Sequence, residues 1–288
     1  MRPPRILVLG GAGQLAHDLE AAWPPGLCAR LPHSACDVTD REAIRAAVAA
    51  YRPEALVSCA AFHRVDDCER EVAASFLVNA VGARYAAEAA AEAGMPFCWF
   101  STGYVFSGKV ARPYLEDEPP DPISLYGASK VAGEVAIRTT GEQHYIVRSN
   151  GLYGVAGASG KGGNFVETML RLAREERPVR VVADQVIEPT FTADLAEAVR
   201  ALLTTERHGT YHATNQGALS WHEFAAMIFE LAGVPADLAP TTTAAFGAPA
   251  RRPAYSVLAN RELPLAGVPP LRPVRDALAD YLDRKGHR

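Results

Sequence analysis

Arg5-Ile-Leu-Val-Leu9 runs straight into Gly10-Gly-Ala-Gly13-Gln-Leu-Ala16, and then into His17-Asp-Leu-Glu-Ala-Ala22. A continuous apolar, β-branched run suits a strand buried on both faces of a parallel sheet. The glycine turn and helix that follow make a βα unit. Its helix N-terminus offers free N–H groups and the positive end of the helix dipole. Gly10 and Gly13 allow a tight turn and the close approach of a pyrophosphate, and Ala16 is small enough for helix–strand packing. The other reading is a glycine-rich βα turn that holds no ligand.

Later segments repeat the alternation. Apolar runs at 27–31, 55–61, 96–100 and 144–149 read as strands. Helical patterns at 41–51, 71–92 and 127–139 separate them. Such alternation predicts a doubly wound parallel α/β sheet of the Rossmann type, the dinucleotide-binding domain, over residues 1–150. Beyond Tyr153-Gly154 the pattern changes. A flexible glycine-rich loop is expected at 157–163, and a helix from Asn164-Phe165 to Arg174. Short strands follow at 179–182 and 210–213, amphipathic helices at 194–203, 221–232 and 274–283, and a mobile loop at 239–245. Residues 151–288 thus read as a smaller mixed α/β lobe, mainly substrate-binding, with segments returning to the first domain.

Composition narrows the function classes. A formal net charge of −4 leaves no basic excess for nucleic acid or an anionic membrane. No run of 18 apolar residues predicts a transmembrane helix, and the apolar run at the N-terminus is too short for a signal peptide. The five cysteines show no CxxC and no metal spacing, so a reducing cytoplasm is the natural compartment and no metal is expected. His63, Asp66 and Asp67 read as a polar surface loop.

In open α/β sheets ligands bind beyond the carboxyl ends of the strands. Residues expected there are the Gly10–Ala16 loop, Ala60-Ala61, Ser101-Thr102, and Asp37-Val38, over which an adenine could rest. The second strand ends without the acid that would hold a ribose 2′-hydroxyl and carries Arg30 instead. Arg30 suits a 2′-phosphate, and hence NADPH with NADH as the alternative, or else is a solvent-facing strand-end residue. Asn79, inside a helical pattern, needs a partner: it braces a neighbouring loop or touches the cofactor. Tyr126 and Lys130 stand four apart in Ser124-Leu-Tyr-Gly-Ala-Ser-Lys130. On a helix they share a face, and an ammonium beside a phenol lowers its pKa, making Tyr126 a proton donor or acceptor near neutral pH.

A glycine loop, a strand-end Thr102 and a YxxxK helix in this order resemble the extended short-chain dehydrogenase/reductases. Ser101-Thr-Gly-Tyr-Val-Phe106, Tyr114-Leu-Glu-Asp-Glu118, Pro122-Ile-Ser-Leu-Tyr-Gly127, Gly163-Asn-Phe165, Asp184-Gln185 with Pro189-Thr190, and Arg252-Pro253 are similar to the dTDP-4-dehydrorhamnose reductase group. The resemblance implies NADPH-dependent reduction of the 4-keto group of a nucleotide-linked 6-deoxysugar, by a homodimer. It implies Thr102, Tyr126 and Lys130 as catalytic, with Lys130 holding the nicotinamide ribose. It implies cofactor contacts at Gly13, Gln14, Leu15, Arg30, Asp37, Val38, Ala60, Ala61, Phe62 and Phe100. Sugar contacts fall at Thr102, Gly103, Gly151, Asn164 and Arg252.

Three positions depart from that group. Gly103 stands where it has an Asp, Gly151 where it has a substrate-packing Trp, and Ile187-Glu188 interrupt its Asp-Gln-x-Gly-x-Pro-Thr segment. A polar partner and an aromatic face are expected to be missing from the sugar pocket. Two alternatives follow: a reductase or epimerase of another nucleotide sugar, and a non-catalytic dinucleotide-binding regulatory subunit.

Overall fold

The computed structural model describes residues 2–157 and 163–288. The glycine-rich loop expected at 157–163 therefore falls, over 158–162, outside the described residues. The first five strands are β1 (Ile6–Leu9), β2 (Cys28–Leu31), β3 (Ala55–Ser58), β4 (Phe97–Thr102) and β5 (His144–Ser149). All pair in parallel, and a sixth parallel strand, Gly209–His212, joins on β5. The sheet order is β2-β1-β3-β4-β5 and then Gly209–His212, so the expected lobe strand at 210–213 belongs to the main sheet. The order reverses between β1 and β3, which opens a crevice at their carboxyl ends.

Every residue of β1 is buried, as its unbroken apolar run requires. Ile6 and Val8 pack on one face with Leu195, Val199 and Leu202 of the Thr192–Leu202 helix. Leu7 and Leu9 pack on the other with Ile44, Ala86 and Ala90. Each such aliphatic side chain stabilises the fold by roughly 1.5–3 kcal/mol through burial. A third cluster joins the Phe165–Arg174, Trp221–Ala232 and Val274–Arg284 helices around Val179 and Val181. The segment expected to be a mobile loop is ordered: Leu238–Thr241 pairs in parallel with Val179–Val182, and Thr243–Phe246 is a helical turn.

The helix expected over 71–92 is three pieces: α-helix Val72–Phe76, π-helix Leu77–Gly82 and α-helix Ala83–Glu92. Asn79, fully buried, sits inside the π segment. Its carboxamide accepts from Phe62 N at 2.9 Å and donates to Phe62 O at 3.0 Å and to Ser129 Oγ at 2.9 Å. The side chain thus braces the loop after β3 and ties it to the Leu125–Thr140 helix. Widened π turns often mark functional positions. No helix among the described residues is long and apolar enough to cross a membrane.

Candidate active site

One cavity of about 730 Å³ runs across the carboxyl ends of β1, β3, β4 and β5. Its floor is main chain. Gly10 has φ +76°, and a Cβ there would lie 2.5 Å from Ala60 N, so the turn after β1 presses against the end of β3. Helix α1 (Gln14–Ala22) begins beneath the cavity with Gly13 as its N-cap, no side-chain cap and no acid in its first turn. Its free N–H groups therefore face the cavity without a competing carboxylate. Such an end can accept an anion such as a phosphate, and the close β1–β3 approach brings main chain up to it. Gln14 donates to Leu152 O at 3.1 Å, which links this floor to the second half of the chain, and its Oε1 is buried without a partner.

Gly10, Gly13, Gln14, Leu15, Asp37, Val38, Ala60, Ala61, Phe62 and Phe100 all line the cavity. Arg30 does not. Its guanidinium donates to Gly11 O and pairs with Glu20 Oε2 at 2.8 Å, so it clamps the glycine turn to α1. Neither expected role of Arg30, a 2′-phosphate contact or a solvent-facing strand end, includes this pairing with Glu20, on the helix of the same βα unit. Arg252 is committed as well: it donates to Asp66 at 2.9 and 3.1 Å and to Ala250 O at 3.0 Å. Asp66, in the loop that reads as polar surface, takes this guanidinium. Among the described residues, no group of three or more His, Cys, Asp or Glu could hold a metal.

Thr102 ends β4 and Tyr126 opens the Leu125–Thr140 helix, which Ser124 caps by accepting from Gly127 N at 3.2 Å. Thr102 and Tyr126 both line the cavity, and the Thr102 side chain is near enough to the phenol to lower its pKa. Thr102 Oγ1 also accepts from Tyr104 N at 3.2 Å. Lys130 lies one turn further on, 2% exposed, with Nζ 3.7 Å from the centre of the Trp99 ring. Burial pulls its pKa down to about 7, against the opposing charge of Glu134.

Tyr126 does not behave as the spacing suggested. Burial raises its pKa, and the Thr102 side chain only partly offsets this; Lys130 is not among the groups that shift it. The ammonium expected to acidify the phenol is itself discouraged by desolvation. At neutral pH the phenol keeps its proton, which is the form a proton donor needs.

Behind this pair lies a buried ion pair that the sequence did not announce. Arg148 donates to Glu134 from Nε at 2.8 Å and from its terminal nitrogen at 2.7 Å, and Ser101 Oγ donates to the same carboxylate at 2.6 Å. Burial pushes the Glu134 carboxyl up, but Arg148 and Ser101 hold it low overall. The bidentate pair fixes the Tyr126–Lys130 helix to β4 and β5, so Tyr126 and Thr102 keep their relative positions.

The side of the cavity around Gly103 and Gly151 holds two groups that their glycines led us not to expect. Beside Gly103, Asn150 supplies the polar group. A Cβ at 103 would lie 2.5 Å from its Oδ1 and 2.8 Å from its Nδ2. Beside Gly151, whose φ is +51°, a Cβ would lie 2.9 Å from Ile187 Cδ1 and 3.5 Å from Trp221 Cη2. Trp221 packs on Phe165 with ring centres 4.7 Å apart, and both rings line the cavity with Ile187. An aromatic face is therefore present, delivered from another helix. Asn164 lines the cavity but is chiefly a cap: it accepts from Glu167 N at 3.1 Å and donates to Gly154 O and Tyr281 Oη, each at 3.1 Å. Ser149, in register with Thr102, also lines the cavity, and its buried Oγ has no partner.

These features meet a matching set of relatives. The family described as RmlD substrate binding domain matches residues 4–286. This chain belongs to that family. It is 40% identical over 286 residues to the spore coat polysaccharide biosynthesis protein SpsK of Bacillus subtilis, covering 98% of each chain. It is 42% identical over 286 residues to a dTDP-4-dehydrorhamnose reductase of Streptomyces griseus, covering 96% of this chain and 92% of that one. Among solved structures, the dTDP-4-dehydrorhamnose reductase of Bacillus anthracis in complex with NADP superposes with a TM-score of 0.93 at 36% identity, covering 99% of this chain and 100% of that one. Family membership confirms the α/β Rossmann-type fold and the resemblance that the motifs carry.

Proposed function

We propose that this chain is an NADPH-dependent reductase of the 4-keto group of a nucleotide-linked 6-deoxysugar, with dTDP-4-dehydrorhamnose the first substrate to try. The observation that carries this reading is the meeting of the Thr102–Tyr126 hydroxyl pair and the uncapped start of α1 in one cavity. The names of the Streptomyces griseus and Bacillus anthracis relatives support the same reaction, and the latter's complex supports NADP(H), with NADH as the alternative. Residues 1–150 would hold the dinucleotide and 151–288 mainly the sugar.

Reduced nicotinamide, when bound, supplies hydride to the carbonyl carbon. Gly13, Gln14 and Leu15 would hold its pyrophosphate, and Lys130 its nicotinamide ribose. Thr102 holds the keto oxygen by a hydrogen bond, and Tyr126 gives that oxygen a proton as negative charge develops on it. Glu134 and Arg148 keep the two hydroxyls in place. Such a reaction belongs in the cytoplasm. We further propose a homodimer: Val72, Leu77 and Val135 are exposed apolar residues on helical segments that pack on one another.

The test is consumption of NADPH, followed at 340 nm, with dTDP-4-dehydrorhamnose and related 4-ketosugars. Turnover of one of them is expected. Tight NADPH binding with no turnover on any would favour the regulatory-subunit reading. A different preferred 4-ketosugar is the second reading, favoured by the rebuilt wall at Asn150, Ile187 and Trp221.

A further inference from the structure

The departures at Gly103 and Glu188 meet at one side chain. The parallel register places Thr102 of β4 beside Ser149 of β5, so the next residues, Gly103 and Asn150, face each other at the strand ends. Asn150 is 4% exposed and lines the cavity with Thr102 and Tyr126. Gly103 N donates to its Oδ1 at 3.1 Å. Its Nδ2 donates to Ser256 O at 2.7 Å and to Glu188 Oε2 at 3.3 Å. The backbone N–H can only donate and the Ser256 carbonyl can only accept, so the amide has one possible orientation.

Glu188 is itself 4% exposed, and its carboxyl accepts from Leu258 N at 2.9 and 3.1 Å. Burial pushes its pKa up to about 8, so at neutral pH this wall carries no charge. Both amide N–H groups are spent, and one lone pair of Oδ1 is used by Gly103. An amide oxygen has two. What remains on Asn150 is one free lone pair on a neutral amide oxygen whose orientation its bonds fix, which suits a hydroxyl donor.

Resting on the reductase reading above, we propose that Asn150 is the specificity-determining residue of this pocket: its Oδ1 accepts a hydrogen bond from the sugar hydroxyl next to the carbonyl, with Glu188 as its positioning residue. In a 4-keto-6-deoxyhexose the carbons next to C4 are C3, which bears a hydroxyl, and C5, which bears the methyl. The hydroxyl recognised is therefore the one on C3.

The experiment compares a dTDP-4-keto-6-deoxyhexose with its 3-deoxy counterpart, on the NADP+-loaded enzyme for binding and with NADPH for turnover. The native enzyme is expected to bind the 3-hydroxy sugar about tenfold more tightly, the scale of one hydrogen bond to a neutral acceptor. Asn150→Ala should abolish that ratio while leaving the dissociation constant for NADPH unchanged. Glu188→Ala should shrink the ratio, and Glu188→Gln, which keeps the acceptor, should restore it. Equal loss on both sugars in Asn150→Ala would make the amide merely structural and overturn the proposal. An intact ratio in Glu188→Ala would remove Glu188 from it. A tenfold binding ratio without turnover would sink the reductase reading and leave Asn150 standing. Turnover without a ratio would do the reverse, and loss of both would sink both.

Discussion

The two sides of the cavity are made of different material. Under Gly10–Leu15 the floor is backbone: a left-handed glycine against Ala60 N, and a helix end with no side-chain cap. Under Asn150 and Trp221 the wall is side chain, brought together from three distant segments at 150, 187–188 and 221. A backbone site recognises a phosphate through N–H groups that every residue but proline has, so it tolerates few changes of shape and many of sequence. A side-chain wall can exchange one contact for another. Asn150 stands where an acid's stem would be, and Trp221 and Ile187 fill the space a side chain at 151 would take.

The largest expected effect lies where the two sides meet. Tyr126→Phe removes the proton donor and keeps the ring against Tyr104, 5.9 Å away centre to centre. Loss of general acid catalysis should lower kcat by about 10²–10⁴-fold. NADPH affinity, measured by fluorescence titration, should hardly move. A variant with full kcat would remove Tyr126 from the reaction.

Gly10→Ala tests the floor. Left-handed backbone costs an ordinary residue roughly 1–2 kcal/mol, and overpacking against Ala60 roughly 1–3 kcal/mol more. The expected outcome is a lower Tm together with weakened NADPH binding. Trp221→Ala tests the wall. Loss of the aromatic contact should raise the KM for the sugar roughly tenfold, the scale of ~1.4 kcal/mol, and leave NADPH affinity alone. If Trp221→Ala weakened NADPH instead, the division into floor and wall would be wrong.

The same contrast explains what the sequence made legible. The glycine turn, the YxxxK helix and the Thr102 strand end are local patterns, and the sheet they imply follows from buried runs of four to six residues. Partners across the chain were not legible. Arg252 meets Asp66 at a separation of 186 residues, and nothing in either neighbourhood signals the other. The pairing of Arg30 with Glu20 was hidden for a nearer reason: Glu20 lies on the helix of the same βα unit, whose face toward β2 the pattern did not give. The π segment around Asn79 was hidden as well, since the partners of Asn79, Phe62 and Ser129, lie outside its own helix. The wall at Gly103 and Gly151 read as two losses, since a glycine shows what is gone and not what moves in.

The finest test sets one buried ionisable group on each side against the other. Glu188, in the wall, has a folded pKa of about 8 against an ordinary 4.5. The native state therefore holds its proton more firmly than the unfolded chain, and this group's contribution to stability falls as pH rises from about 4.5 to about 8. Lys130, above the floor, has a folded pKa of about 7 against an ordinary 10.5. There the unfolded chain binds the proton more firmly, so this contribution rises with pH from about 7 to about 10.5. Each slope is at most about 1.4 kcal/mol per pH unit. Together they shape a minimum in stability near the overlap of the two windows. Urea unfolding across pH, without added cofactor, should show Glu188→Gln flattening the acidic limb alone and Lys130→Met flattening the basic limb alone. If Glu188→Gln left the acidic limb untouched, the carboxyl would already be ionised at neutral pH, and the wall beside Asn150 would carry a charge rather than a neutral acceptor.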